Sequence, residues 1–279
     1  MLMKIVKPTI GGHDGSSFRE LLDLWEENGY CEIIQGPPQR SSGYVHDSDS
    51  PEAKCWVNEI GDILLYDFPL LDRLKHSYNM CLFANEFKSG PNNKRWVFWP
   101  KHSRLYDKLK TTFRREYNNR TLKLGFIGTP TNQKRHDVSL EWNNACDLFH
   151  YSNQKVNHDE YLNQLSFMKY GLCFRGVGPK CLRDIELMGM GTVPIFTDGV
   201  STEYHNELVE DIHYISGVNK EETLNRINNM KESEWKEMSD NCIEWFEQNC
   251  SVEGSFNTTV KIISESNYGI NKDMKRLIK

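Results

Sequence analysis

Arg183 and Glu186 stand three residues apart in Pro179-Lys180-Cys181-Leu182-Arg183-Asp184-Ile185-Glu186, behind the turn Arg175-Gly176-Val177-Gly178. Pro179 is well placed to open a helix, and on a helix that spacing puts both side chains on one face. A helix start presents unpaired N–H groups and a partial positive charge, a setting suited to a diphosphate. Arg183 adds a full charge and a forked donor there. A carboxylate beside a phosphate is repelled, so Glu186 suits hydrogen bonds from sugar hydroxyls slightly farther off. An arginine for the phosphates and a glutamate for a ribose make a nucleotide clamp. The alternative is an exposed ion pair decorating a core helix. The turn before the pair and Gly191-Thr192-Val193-Pro194-Ile195 after it favour the clamp.

A rival chemistry uses the same segment. Gly176-x-Gly178 with Asp198 about twenty residues on imitates the dinucleotide fingerprint, which would make the chain an NAD-linked oxidoreductase. Cys181 stands where the third glycine belongs, however, and Pro179 stiffens the turn.

These residues need an α/β scaffold, and the hydrophobic pattern supplies one. Met3–Val6 reads as a strand, Gly11–Ser17 as a loop, and 18–28 as an amphipathic helix with Phe18, Leu21, Leu22 and Trp25 on one face. Gly29 ends it before a strand at 30–34. That order opens an α/β sheet. The polar stretch 36–51 interrupts it, and 62–67 and 96–99 read as further strands. Residues 101–120 are dense in charge and read as an exposed helix and connector. The pattern then restarts with a strand at 122–127, a turn at Gly128-Thr129-Pro130 and a polar loop carrying Lys134 and Arg135. Beyond it come a helix at 158–168, a strand at 170–174, a helix at 180–190 and a strand at 192–196. Helices at 220–230 and 233–248 and a last one from 255 complete the pattern. The division expected is 1–120, 121–255 and a terminal helix 256–279 that packs back on the first domain.

Composition narrows the function classes. In 279 residues, 34 Lys and Arg against 39 Asp and Glu give a net charge of −5, which argues against a chain built to grip nucleic acid. No apolar run reaches the roughly 20 residues of a membrane-spanning helix. The opening Met1–Pro8 is too short an apolar stretch for a signal peptide, so a cytoplasmic setting is expected. The eight cysteines lack the two-residue gap of zinc or redox sites and read as reduced, mostly buried thiols.

Arg175-Gly176, Arg183-x-x-Glu186 and Gly191-Thr192-Val193-Pro194-Ile195 resemble the signature of the exostosin-like glycosyltransferases. Phe126-x-Gly128 with Arg135 is similar to the segment that opens the same domain in that family. The resemblance implies the GT-B architecture: two facing Rossmann-like domains, nucleotide-sugar in the second and acceptor mainly in the first. It implies an inverting, metal-independent transfer from a UDP-sugar to a hydroxyl of a glycan acceptor, with no cofactor beyond the donor. Arg183, Glu186, Arg135, Arg175, Gly176, Gly178 and Gly128 are the donor-site residues it marks. Arg175 has an alternative role, locking its own turn. The chain departs from the family's animal members in its short length and in Lys180-Cys181 where a Ser often precedes the Arg. In compactness it is similar to glycosyltransferases of large algal viruses, which implies xylose as a candidate sugar and a host cytoplasm.

Inverting transfer needs a base for the acceptor hydroxyl and charge stabilisation for the departing diphosphate. Loops at the carboxyl ends of parallel strands line such clefts, which makes His13-Asp14 the candidate base pair, Asp14 taking the proton and His13 orienting it. A polar turn capped by Asp14 is the alternative. His76, Asp67 and Glu86 are reserves. Asp47-Ser48-Asp49 sits in polar loop sequence rather than at the end of an apolar strand, and His136, His150 and His158 lack ligand spacing, so no metal is assigned. Trp96, Phe98, Trp99, Trp235 and Trp245 read as core. A non-catalytic nucleotide- or glycan-binding protein of the same fold is the reading from another class.

Overall fold

The structure, a computed structural model, describes residues 3–7, 15–35, 55–58, 63–66, 80–83, 93–95, 99–130, 133–154, 156–176 and 179–265. The chain divides into two compact units. The first comprises Met1–Arg104, Glu203–Asn206 and Gln248–Lys279, the second Leu105–Thr202 and Glu207–Glu247.

The first unit holds a six-stranded sheet. Its strands are β1 (Met3–Lys7), β2 (Cys31–Gln35), β3 (Cys55–Asn58), β4 (Ile63–Tyr66), β5 (Met80–Phe83) and β6 (Asn93–Arg95), in the order β2-β1-β3-β4-β5-β6. β3 runs antiparallel to both neighbours, while every other pairing is parallel. Five strands therefore point one way and β3 alone is reversed. The first sheet is mixed rather than a simple parallel series.

Helix α1 (Gly15–Glu27) joins β1 to β2. Its inward residues Leu21, Leu22 and Trp25 are fully buried, the spacing of one helical face. Gly29 closes it at φ +74°, a left-handed conformation that costs a glycine least. The Trp25 indole N–H donates to the Val252 carbonyl at 3.0 Å and to Ser255 Oγ at 3.1 Å, and its ring meets Phe256 edge-on at 5.4 Å. Those partners lie on α8 (Val252–Glu265), the last helix among the described residues, so this segment completes the core of the first unit. The helix starts at Val252, ahead of the expected 255.

The second unit is built on a parallel sheet of β7 (Leu122–Gly128), β8 (Leu148–Tyr151), β9 (Met168–Cys173), β10 (Val193–Phe196) and β11 (Ile215–Ser216), ordered β11-β10-β9-β7-β8. Its helices are α2 (Leu105–Thr112), α3 (Gln133–Trp142), α4 (His158–Ser166), α5 (Leu182–Gly189), α6 (Lys220–Asn229) and α7 (Glu232–Asn249). Leu124, Phe126, Tyr170, Leu172, Val193 and Ile195 are buried in the strands, and Trp142 and Trp235 pack with them. Burying one such side chain stabilises the unit by about 1.5–3 kcal/mol. Strands covered on both faces read as unbroken apolar runs, which is why β7, β9 and β10 stand out in the sequence.

One expectation is corrected here. The segment carrying Lys134 and Arg135 is helix α3 rather than a polar loop, whereas the charged stretch 101–120 holds a helix and connector as expected, namely α2 and one 3-10 turn at Tyr117–Asn119. The described strand near residue 96 is Asn93–Arg95, and residues 96–98 lie outside the described set.

At the amino ends of the strands, Arg120 acts as a staple. It is 3 % exposed. It donates to the carbonyls of Arg115 (2.9 Å), Ser166 (3.2 Å), Met168 (2.8 Å) and Met190 (2.6 Å) and to Thr192 Oγ1 (2.7 Å). One side chain thereby ties the segments that lead into β7, β9 and β10.

Candidate functional site

The strand order of the second unit fixes where a ligand belongs. From β7 the chain crosses to β8 on one side, and from β9 to β10 on the other. The carboxyl ends of β7 and β9 therefore form a topological switch point, the crevice in which open α/β sheets bind ligands. Gly128 ends β7, Cys173 ends β9, and Cys181 caps the start of α5.

Arg183 lies in the first turn of α5 and reaches β7. Its Nε donates to the Ile127 carbonyl at 3.0 Å, and its guanidinium carbon sits 4.4 Å above the centre of the Phe126 ring. Cation and ring attract by the ring's quadrupole. The side chain is 8 % exposed, and its Nη1 has no hydrogen-bond partner among the described residues. Gly128 makes the approach possible: a Cβ there would stand 3.0 Å from Arg183 Nη2 and 2.6 Å from the edge of Phe126.

Arg135 is buried as well, but its donors are committed to the scaffold. From α3 it donates to the carbonyls of Arg175 (2.7 Å), Thr129 (3.1 Å) and Phe174 (3.1 Å), and to Cys181 Sγ at 3.2 Å. It thus clamps the loop after β7 to the loop after β9. Burial, with the Arg183 charge nearby, lowers its pKa. Arg175 is half-buried, and its carbonyl is one of the groups Arg135 holds. Gly176 permits the close packing beneath: a Cβ would lie 2.8 Å from Cys181 Sγ and 3.0 Å from Arg135 Nη2.

The start of α5 is capped by its own side chains. The Cys181 N–H donates to Asp184 Oδ2 at 2.9 Å and the Cys173 thiol lies beside the same carboxyl, while Oδ1 has no well-formed hydrogen bond among the described residues. Burial pushes the Asp184 carboxyl up from its ordinary value and raises the Cys181 thiol to about 11. That thiol stays protonated at neutral pH and is no nucleophile.

Glu186 is 2 % exposed and faces α4. Tyr161 donates its hydroxyl to Oε2 at 2.9 Å, and His158 Nε2 lies 3.6 Å from Oε1, an ion-pair distance rather than a hydrogen bond. Burial holds the Tyr161 phenol well above its usual range, so it remains a donor. The carboxylate is therefore engaged by α4 in this structure; no sequence signal announced those partners.

The remaining expected residues are placed as follows. His13, Asp14, Gly178, Asp47, Asp49, Asp67, His76 and Glu86 lie outside the described residues. His136 stacks on Tyr151 at 5.8 Å, His150 Nε2 is buried without a partner among the described residues, and His158 faces Glu186. No group of three metal-ligating side chains converges among the described residues. Tyr151, at the end of β8, belongs to this edge of the sheet and was missed from sequence, because nothing announces an isolated tyrosine.

Fold and site define a mixed α/β protein whose second unit carries a five-stranded parallel sheet of Rossmann-like form. No family model and no curated protein matches the chain. Among solved structures it is similar to the N-terminal domain of Candida albicans trehalose-6-phosphate phosphatase. The two are 16% identical at a TM-score of 0.36, over 58% of this chain and 39% of that one. The chain thus matches about two fifths of that structure's length, and at this level the likeness carries no functional argument. Among the described residues no helix is long and apolar enough to cross a membrane.

Proposed function

We propose that the chain is a glycosyltransferase of GT-B type, an enzyme that moves a sugar from a UDP-sugar to a hydroxyl of a glycan acceptor with inversion and without a metal. The observation that supports it is Arg183: a buried cation at a helix start, on the switch point of a parallel sheet, with one guanidinium nitrogen unpartnered among the described residues. A buried N–H left unpaired is destabilising, and an oxygen of a diphosphate is the partner its charge and geometry suit. Charge grows on that diphosphate as the sugar departs, so a preorganised donor is worth more in the transition state than in the ground state.

Arg135 in this reading is a positioning residue that shapes both loops, and Gly128 and Gly176 give the backbone room. Glu186 reaches a ribose only by sharing or exchanging its contacts with Tyr161 and His158. His13-Asp14 supplies the acceptor's base, and xylose is the candidate sugar.

The test is direct. Arg183→Met should leave the fold intact, because the methionine still covers Phe126. It should lower kcat with UDP-xylose or UDP-glucose by about 2–4 kcal/mol in activation free energy, with no sensitivity of the wild type to EDTA. Undiminished turnover in Arg183→Met would remove this arginine from the mechanism. A wild type that binds UDP-sugars and transfers none of them to any glycan would leave a binding protein.

A further inference from the structure

Tyr151 carries a second buried polar atom at the same edge of the sheet. Its hydroxyl oxygen, like Arg183 Nη1, has no hydrogen-bond partner among the described residues. In the β7–β8 register Tyr151 lies opposite Gly128, and Phe149 opposite Phe126. Side chains alternate along a strand, so all four positions share one face of the sheet. On that face the Phe126 ring carries the Arg183 guanidinium at 4.4 Å and has the Tyr151 ring 6.1 Å away. A Cβ at Gly128, on this same face, would stand 3.0 Å from Arg183 Nη2.

The Tyr151 ring is held on several sides. His136 stacks on it at 5.8 Å with an interplanar angle of 25°, and Phe149 lies 6.3 Å away. These ring contacts restrict its rotation before any ligand arrives, a condition under which a donor adds more to affinity. For packing alone a phenylalanine would serve as well, since the ring makes all of these contacts and the oxygen adds only a desolvation penalty.

We infer that the Tyr151 hydroxyl and the Arg183 guanidinium, both neighbours of Phe126 on the sheet face that carries the bare backbone of Gly128, are the paired donors of a phosphate-binding site, with Tyr151 donating to a phosphate oxygen of the same ligand. The inference rests on the reading of Arg183 as a phosphate donor and adds to it a neutral donor that α5 does not supply. A phenol beside a guanidinium suits a diphosphate: the cation balances charge while the hydroxyl fixes one oxygen in place.

Calorimetric titration of the full chain with UDP and, separately, with inorganic pyrophosphate tests this, alongside thermal melting without ligand. Tyr151→Phe should melt at the same temperature as the wild type or higher, because it sheds an unpaired buried oxygen. It should bind both probes about ten-fold more weakly. A merely structural hydroxyl would move the melting temperature down instead, and that result overturns the inference, as does unchanged affinity. Arg183→Met separates this claim from the functional one. If UDP binding falls in Arg183→Met and not in Tyr151→Phe, only the role of Tyr151 is lost. If pyrophosphate binding depends on both residues while the uridine adds no affinity, the anion site stands and the UDP-sugar reading fails. Absence of binding of either probe to the wild type overturns both.

Discussion

Two buried arginines mark opposite ends of the same parallel sheet and are treated in opposite ways. At the amino ends of the strands, all three guanidinium nitrogens of Arg120 donate to acceptors within 3.2 Å. At the carboxyl ends, Arg183 makes one such bond through Nε, rests on Phe126, and leaves Nη1 without a partner among the described residues. Both are nearly inaccessible, so burial alone does not distinguish a staple from a site. The distinction lies in satisfaction. A saturated buried cation has finished its work within the fold, whereas an unsaturated one is destabilising until something else supplies the acceptor. The carboxyl edge also gathers atoms of Asp184, Tyr151 and His150 without a well-formed hydrogen bond among the described residues, and none of the amino-edge groups held by Arg120 is among them.

The largest effect that would break this contrast is at Arg120. Arg120→Met should lower stability by about 3–5 kcal/mol, because it removes a donor from three buried carbonyls, a half-buried one and a buried hydroxyl. Urea unfolding measures it, and pyrophosphate affinity of the folded fraction should stay unchanged. A loss below about 1 kcal/mol would mean that the amino edge is no better satisfied than the carboxyl edge.

A pair of glycines sharpens the comparison at a smaller scale. Gly191 follows α5 at the amino edge with φ +72°, and a Cβ there would meet Ser239 Oγ at 2.7 Å. Gly128 at the carboxyl edge has no such φ, but its Cβ would press on Phe126 and Arg183. Alanine at either position should cost about 1–3 kcal/mol, by backbone strain in the first case and overpacking in the second. Only Gly128→Ala should also weaken anion binding, since it moves the guanidinium. Equal effects on binding from the two variants would dissolve the difference between the edges.

The same contrast explains what was legible in the sequence. β7, β9 and β10 could be read because the middle of a parallel sheet demands unbroken apolar runs. β8 and β6 escaped because they lack such a run: Leu148–Tyr151 is only half-buried, and Asn93–Arg95 is polar throughout; β3 and β5, four residues each, escaped as well although they lie inside the first sheet. Helix α3 escaped for a more instructive reason. Its inward positions are Arg135, Val138, Ser139 and Trp142, a helical stripe in space whose members include a cation and a hydroxyl. Its apolar residues Val138, Leu140 and Trp142 recur at every second position instead, and Leu140 is exposed. A hydrophobicity pattern cannot register a stripe whose buried charged member is satisfied by backbone carbonyls. For the candidate site, the spacing of Arg183 and Glu186 on one helix was legible. The turn of Glu186 toward Tyr161 and His158, and the capture of Arg135 by two loops, depend on contacts far apart in sequence and were not.

The smallest effect separates the edges by charge. Asp184 is the carboxylate in the first turn of α5, and burial raises its pKa above the ordinary value despite the neighbouring Arg183 and the Cys181 N–H. A folded pKa above the unfolded one means that the native state takes up the proton first. The ionised group is then a burden at neutral pH, and that burden lifts as pH falls through the folded pKa toward the ordinary carboxylate range. An asparagine side chain at this position would keep an acceptor for the Cys181 N–H and carry no charge. Asp184→Asn should therefore be as stable as the wild type at pH 7 or more so, by up to about 1 kcal/mol, and the advantage should shrink on acidification. Removing a negative charge beside Arg183 should also tighten pyrophosphate binding at pH 7 by about two- to five-fold. Unfolding curves between about pH 4 and 7.5, spanning the ordinary carboxylate range and neutrality, with parallel titrations, check both signs. An advantage that grows in acid would show that Asp184 is held ionised by Arg183, which would make the pair at the carboxyl edge as self-sufficient as the staple at the amino edge.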